Sequence, residues 1–352
     1  RDAMPQHAWL LLPTLGVVAA EMATIDTSGG SQSEPNLLLA STWAPLGAVA
    51  RADLYLAAAT AGVLEEAEDL IPCARLMQLG EFQYGSNLVR GVAATMELPA
   101  LSGCTLGKRA AISLSTVVRR LAHTYGNDPV QSREIASVEA LVRTPADERA
   151  LCAVLLMREA ERTSSPLMPY IMALLTGAHE HIPSAWDPGS AEGAARRAGL
   201  ESLDKGPMLL MAADELRKVI VQQYASLVPR ALKTLPNLLG IAGNDIVDAP
   251  VVYSIQRFAE TWLGMRSRSF EDGAHGVLVP PLCLMNHPAQ GEDSVIDIGS
   301  DSNGDFVMKT KRHIEQSEQL TYSYGALCAE RALLVYGFPV SVWSRLPPCE
   351  GF

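Results

Sequence analysis

The sequence predicts an α+β protein in which one helical segment separates two strand-rich halves. From about residue 84 to 118, short β-like runs are punctuated by four glycines: Gly85, Gly91, Gly103 and Gly107. From about 126 to 265, apolar residues recur three and four positions apart, which is the period of an amphipathic helix. After residue 277 the chain returns to short β-like runs. We therefore predict strands, then helices, then strands.

Each predicted element follows from a local pattern. Residues 147–159, 208–227 and 245–263 have helical periodicity. Strands are predicted at 277–284, 294–298, 306–310 and 319–323. The polar run D-S-N-G-D at 301–305 is predicted to be the hairpin turn between the second and third of these strands.

The first 83 residues are predicted to form a separate, alanine-rich helical region, with residues 50–67 as one helical stretch. The apolar run at 9–20 is too short to span a bilayer but has the length of a signal-peptide core. Its flanks carry little positive charge, so a plain buried segment is the alternative. Both interpretations stay open at this point.

Composition limits the classes of partner. The chain has 28 basic and 39 acidic residues, a net charge of −11, which disfavours binding to a phosphate backbone. Hydrophobic residues make up 48% of the chain, as in a globular protein. We expect a monomer that binds neither nucleic acid nor membrane.

The metal and disulfide signals are weak. The six cysteines show no C-x-x-C spacing, so we expect neither a zinc cage nor a disulfide framework, and a reducing compartment is the default. The run at 301–305 hints at a calcium loop, but Phe306 stands where glycine is required and Arg312 where the closing glutamate belongs. His179 and His181 lack the spacing that places two ligands on one helix face. No metal site is expected.

Five segments carry the functional signal, and we call them the motif segments. In order they are R-G-V-A-A-T at 90–95, S-P-L-M-P-Y at 165–170, S-R-S-F at 267–270, L-V-P-P-L-C-L-M-N-H at 278–287, and the stretch 318–338, which contains E-Q-L-T-Y-S-Y-G and closes with Y-G-F. Together they resemble the SET-domain methyltransferases. The most similar branch includes the Rubisco large-subunit lysine methyltransferase and the actin-histidine methyltransferase.

The resemblance implies a SET-like fold over residues 84–345, with a helical insert at 126–262 and a knot-like C-terminal segment, followed by a tail at 346–352. The branch's C-terminal substrate-binding domain is absent from this sequence, which leaves substrate recognition to the N-terminal region and the insert unless the sequence is a fragment. The expected localisation is cytoplasmic or nuclear, with a plastid as the alternative.

The implied activity is methyl transfer from S-adenosylmethionine to a lysine side chain of a non-histone protein substrate. Two alternatives remain: a histidine-specific enzyme, and a degenerate SET-like module that binds proteins without catalysis. Methyl transfer is an in-line displacement, so positioning dominates catalysis. A lysine amine, whose ordinary pKa is roughly 10.4, must also be neutral, which an apolar aromatic channel favours.

The resemblance also implies roles for residues. Tyr324 would be catalytic, orienting the nucleophile by geometry, and Arg268 and Tyr336 would join it at the substrate. The expected cofactor-binding residues are Leu88, Val89, Arg90, Gly91, Arg268, Cys283, Asn286, His287 and Phe338. Asn286 and His287 would end a strand at the cofactor; the bland alternative is a turn cap and a satisfied buried histidine.

Four positions depart from the family pattern. Cys283 replaces an aspartate, Val89 and Ser317 replace glycines, and Ala329 replaces an asparagine. The change at Cys283 removes a carboxylate near the cofactor or substrate. These departures motivate the non-catalytic alternative.

Overall fold

A computed structural model describes residues 73–84, 87–162, 165, 168, 170–171, 182–242, 249–270, 276–289, 291–338 and 346–349. The predicted N-terminal helical stretch at 50–67, the apolar run at 9–20 and the histidines at 179 and 181 lie outside the described residues. Among the residues described, no helix is both long and apolar enough to cross a membrane.

The six described strands form two three-stranded sheets. The first has the order β1-β2-β6, with β1 (Met77–Tyr84), β2 (Asn87–Ala94) and β6 (Gln319–Leu320) paired antiparallel. The second has the order β3-β5-β4, from β3 (Gly103–Leu106), β4 (Ile296–Ser300) and β5 (Phe306–Thr310), again antiparallel. Each sheet therefore joins strands from both ends of the sequence.

The predicted hairpin is present between β4 and β5. The Asp301 carboxylate accepts from the backbone N–H groups of Asn303 (2.8 Å) and Asp305 (3.1 Å), and Gly304 has a φ of +80°. These are the features of a polar turn closed by an aspartate side chain. The polar-turn interpretation of this run is confirmed.

Seven of the eight described α-helices lie in the middle of the chain, as the periodicity predicts, and the eighth, at Ala329–Tyr336, follows the last strand. Ser113 and Thr144 begin two of them with reciprocal capping boxes, and Asp128 caps a third that has proline at its first turn. In chain order the helices are α1 (Leu114–Tyr125), α2 (Pro129–Leu141), α3 (Pro145–Glu161), α4 (Ala191–Glu201), α5 (Gly206–Thr234), α6 (Ala249–Val252), α7 (Ile255–Arg268) and α8 (Ala329–Tyr336).

Three boundary predictions are wrong. Residues 77–83, placed in the helical N-terminal region, belong to β1, where the buried Met77 and Leu79 follow strand alternation. Residues 114–118, placed in the first strand-rich half, begin α1 because Ser113 caps it. The strand at 277–284 is reduced to single bridges at Val277 and Leu278, followed by a short 3-10 helix, Leu282–Leu284. Two consecutive prolines at 280 and 281 have no N–H to donate to a ladder.

The described residues divide into two compact units. Those from 40 to 176 and 223 to 325 form the first, which we call the sheet unit because it holds all six described strands. Those from 177 to 222 and 326 onward form the second, the helical unit, with α4, the first part of α5, and α8.

The expectation of no disulfide framework is wrong. Cys73 and Cys104 are bonded in the sheet unit, and Cys328 and Cys349 in the helical unit, with Cα–Cα distances of 5.3 and 5.0 Å. Sequence separations of 31 and 21 residues carry no disulfide signal, because folding alone brings these positions together. Disulfides are rare in reducing compartments, so the ground for that default is lost.

Candidate active site

Three motif segments converge on the backbone of Gly91 in the sheet unit. A Cβ at this position would lie 2.6 Å from Asn286 Nδ2, 2.7 Å from Gln319 Nε2 and 3.0 Å from the Phe82 ring. Two side-chain amides therefore occupy the space that any other residue would fill on β2. This position requires glycine because of close approach rather than because of its φ angle.

The strand pairing explains the convergence. Gln319 lies on β6 opposite Ala93 of β2. Just beyond β6, Thr321 forms a parallel bridge with Asn286, and the Tyr322 N–H donates to the Asn286 carbonyl at 3.1 Å. The 286 segment thus runs beside the 321–322 segment, whose next residues include Tyr324.

Tyr324 is held at both ends. Its hydroxyl donates to the Met285 carbonyl at 2.8 Å, and its backbone N–H donates to His287 Nδ1 at 3.2 Å. Since Nδ1 accepts, the neutral imidazole carries its proton on Nε2. The predicted catalytic tyrosine therefore lies against the residues on both sides of Asn286.

Burial favours the neutral form of His287. Desolvation lowers the pKa of this imidazole below its ordinary value. Its ring centroid is 5.4 Å from that of Tyr324, which in turn is 4.9 Å from Tyr322. Tyr322 stacks on Phe270 of the S-R-S-F segment at 5.3 Å. The surroundings of Tyr324 are therefore aromatic and include the imidazole of His287.

The Cys283 side chain occupies a buried polar contact. The residue is 2% exposed, and its sulfur lies within hydrogen-bonding distance of the hydroxyl of Tyr170, which is fully buried. Arg268, at the end of α7, donates from Nη1 to the Cys283 carbonyl at 3.3 Å. Two further motif segments, those containing Tyr170 and Arg268, thus meet the segment that carries Asn286.

The departure at Ser317 has a visible backbone consequence. Its φ is +66°, in the left-handed region that favours glycine, and its N–H donates to the Ala94 carbonyl at 2.9 Å. The family's glycine at this position therefore suits the turn that precedes Glu318 and Gln319, and serine adopts it at a cost.

The closing Y-G-F lies in the helical unit. α8 ends at Tyr336, Gly337 adopts a left-handed φ of +67°, and the Phe338 N–H donates to the Ala332 carbonyl at 3.0 Å. The rings of Tyr336 and Phe338 stack at 6.0 Å. These two predicted site residues are thus placed next to each other.

The remaining predicted residues lie on β2. Leu88 pairs with Gln83, Val89 with Phe82 and Arg90 with Glu81. Within the sheet unit the structure brings together Gly91, Arg268, Cys283, Asn286, His287 and Tyr324 through the contacts described above.

Three contributors to the site were not predicted from the sequence. Gln319 and Tyr170 belong to the motif segments, so membership in those segments was a signal that could have identified them. The Met285 carbonyl is a backbone group, and no residue pattern identifies such an acceptor.

Comparison with known proteins places the fold. A structure described as the SET domain of LSMT bound to lysine and AdoHcy aligns with a TM-score of 0.51 and 15% identity, over 83% of this chain and 58% of that one. A structure of Rubisco LSMT bound to AdoMet aligns with a TM-score of 0.49 and 16% identity, over 83% and 56%. The chain thus spans somewhat more than half the length of these proteins. No family model and no curated protein matches the sequence. The chain has a SET-like α+β fold, as predicted.

Proposed function

We propose that this chain is a protein methyltransferase that transfers a methyl group from S-adenosylmethionine to a lysine side chain of a non-histone protein. The observation that carries the proposal is the convergence of Asn286, Gln319 and Gly91, with Tyr324 bonded to His287 beside them. The LSMT SET domain is described as bound to lysine and AdoHcy, and we propose the same two classes of ligand, a lysine side chain and an S-adenosyl cofactor, for this chain. The choice of lysine and of a non-histone substrate rests on the resemblance of the motif segments.

The residues present fit the cofactor. The missing Cβ of Gly91 lets the side-chain amides of Asn286 and Gln319 lie directly against the backbone of β2, which places polar groups at this point. Arg268 Nε is buried and has no hydrogen-bond partner within the described part of the chain, so its guanidinium has donors to spare for a carboxylate. Asn286 and the backbone at Gly91 would hold the amino acid portion, and His287 would lie at the adenine. When bound, S-adenosylmethionine supplies the electrophilic methyl group.

Tyr324 would orient the substrate amine. Its hydroxyl donates to the Met285 carbonyl, so that the phenolic oxygen would meet a substrate amine as a hydrogen-bond acceptor. The ring of Tyr322 contacts that of Tyr324, and Phe270 stacks on Tyr322 in turn, so the aromatic rings form a continuous apolar surface. Such a surface disfavours the ammonium form, so it would lower the pKa of an entering lysine.

Calorimetric titration with S-adenosylmethionine tests the cofactor site. We expect the intact chain to bind and Asn286→Ala to bind at least tenfold more weakly, because a hydrogen bond to a charged ligand contributes roughly 1.5–3 kcal/mol. Asn127→Ala is the matched control, since Asn127 is exposed in a turn after α1. The absence of binding by the intact chain would favour the non-catalytic module.

Turnover tests Tyr324. We expect Tyr324→Phe to retain cofactor binding and to lose methyl transfer by about 10²-fold or more, the scale of a positioned polar group. Tyr253→Phe is a matched control, since its hydroxyl also donates to a backbone carbonyl, that of Leu239, at 2.8 Å. Unchanged turnover in Tyr324→Phe would refute the role of the Tyr324 hydroxyl in orienting the substrate amine. Hydrolysis of labelled substrate proteins identifies the acceptor, and methylhistidine in place of methyllysine would overturn the lysine assignment.

A further inference from the structure

A disulfide lies at the start of α8 in the helical unit. Cys328 is the N-cap residue of this helix, its side chain makes no capping hydrogen bond, and it is bonded to Cys349. The bond closes a loop over a sequence separation of 21 residues. Tyr336 and Phe338 fall inside that loop.

Hydrogen bonds and an ion pair also join the start of α8 to residues 347–349 and to Lys205. The Ala329 N–H donates to the Pro347 carbonyl at 2.8 Å, and the Cys349 N–H donates to a Glu330 carboxylate oxygen at 2.6 Å. The other Glu330 oxygen accepts from Lys205 at 3.1 Å, and Glu330 is only 2% exposed. We call this set of contacts, together with the disulfide, the C-terminal clamp.

We propose that the Cys328–Cys349 bond is a thiol–disulfide exchange site for a dithiol reductant, so that the C-terminal clamp on α8 depends on redox state. The position of Cys328 favours the exchange. Amide dipoles at a helix N-terminus stabilise a thiolate, and a stabilised thiolate leaves a disulfide faster. The Glu330 carboxylate, within 4.8 Å of both sulfurs, opposes this effect, and its contacts with Lys205 and the Cys349 N–H offset part of its charge. Cys328 is partly exposed, and Cys349 follows two exposed prolines, so a reductant can approach from solvent.

The exchange balances with the two thiols of the reductant. One reductant thiolate attacks the Cys349 sulfur, which forms a mixed disulfide and releases Cys328 as a thiolate. The second reductant thiol attacks the mixed disulfide and releases Cys349. Two electrons and two protons pass to the protein, which ends with two thiols, and the reductant ends as its own disulfide.

The second disulfide provides an internal comparison. Cys73 is fully buried, and Cys104 lies within β3, paired with Met308 of β5. Opening this bond from the Cys104 side would leave a thiolate at Cys73 without water, which desolvation disfavours. The two disulfides should therefore differ in how readily they are reduced.

The consequence for activity rests on the proposed function. If Tyr336 and Phe338 serve the substrate channel and the cofactor, loosening the C-terminal clamp will lower methyl transfer. The exchange site itself does not depend on that role, because its chemistry involves only the helical unit.

The test uses the whole oxidised chain, titrated with dithiothreitol. Differential alkylation followed by peptide mass spectrometry reports each cysteine, and hydrogen exchange reports residues 329–336. We expect Cys328 and Cys349 to become alkylated at a dithiol concentration at least tenfold lower than Cys73 and Cys104, with a drop of at least tenfold in α8 protection. The double variant Cys328→Ser/Cys349→Ser should show that lower protection without reductant, whereas Cys73→Ser/Cys104→Ser should not.

Simultaneous reduction of both disulfides, or unchanged α8 protection after reduction, would overturn the proposal. The wild-type alkylation result is decisive even if a double variant fails to fold. Failure of the proposed function would appear separately, as no binding of S-adenosylmethionine by the oxidised chain, and would leave the thiol and exchange measurements intact.

Discussion

Replacing Gly91 with alanine tests the central geometry of the site. The new Cβ would lie 2.6 Å from Asn286 Nδ2 and 2.7 Å from Gln319 Nε2, where ordinary contact begins near 3.4 Å. Overlaps of 3.4 − 2.6 = 0.8 Å and 3.4 − 2.7 = 0.7 Å force both amide groups to move. Because these are side-chain ends, we expect β2 to stay paired and the free energy of unfolding to fall by about 1–3 kcal/mol, the usual cost of overpacking.

The displaced Asn286 amide should also lose its place at the cofactor. We expect Gly91→Ala to weaken binding of S-adenosylmethionine by about tenfold to a hundredfold, which corresponds to roughly 1.4–2.8 kcal/mol. Urea unfolding measures the first effect, and calorimetric titration at a temperature where the variant is folded measures the second.

Gly299→Ala is the matched control. Gly299 is exposed on β4, and a Cβ there meets nothing within 4 Å. We expect its unfolding free energy to change by no more than about 0.5 kcal/mol and its cofactor affinity to be unchanged. If Gly91→Ala behaved like Gly299→Ala in both assays, the convergence of Asn286 and Gln319 on Gly91 would be refuted.

Two further predictions concern stability. Ser317→Gly should raise the free energy of unfolding by about 0.5–1 kcal/mol, because relief of a left-handed φ of +66° outweighs the added freedom of the unfolded chain. Ser302 is not in the left-handed region, so Ser302→Gly should lower the free energy of unfolding. Equal effects of the two substitutions in urea unfolding would contradict the argument. Burial lowers the pKa of His287, so the unfolded chain binds more protons than the folded chain as the pH falls. The contribution of His287 to the free energy of unfolding should be fully present above about pH 6.5, the ordinary pKa of histidine, and should fall as the pH drops from there towards the folded pKa. His287→Gln should flatten this slope in unfolding measured across that range, and an unchanged slope would assign it to other groups.

Local patterns predicted the elements that depend on neighbouring residues. The β5 range 306–310, the turn at 301–305 and the helices between 129 and 268 follow from alternation, turn residues and helical period. The wrong predictions involve competing local signals. The capping box of Ser113 began a helix inside a glycine-rich stretch, and consecutive prolines ended the apolar run at 277–284 as a strand after two residues.

The candidate site also has parts that the sequence indicated and parts that it did not. The resemblance of the motif segments to a known family pointed to Asn286, His287 and Tyr324, and their roles stay predictions. The partners were not indicated: Met285 contributes a carbonyl, and Cys283 contacts Tyr170 from 113 residues away. The pairing of Cys328 with Cys349 was equally invisible, because spacing along the chain does not report distance in the fold.

By itself, the sequence determined the α+β class, the division into strands, helices and strands, and the residue types available for chemistry. Only the tertiary structure decided that Gly91 has no room for a side chain, that burial lowers the pKa of His287, which accepts from the Tyr324 N–H, and that the cysteines pair as they do. The physical reason is range. Propensity and periodicity act over a few residues, whereas close approach, desolvation and disulfide geometry depend on segments that meet only after the chain has folded.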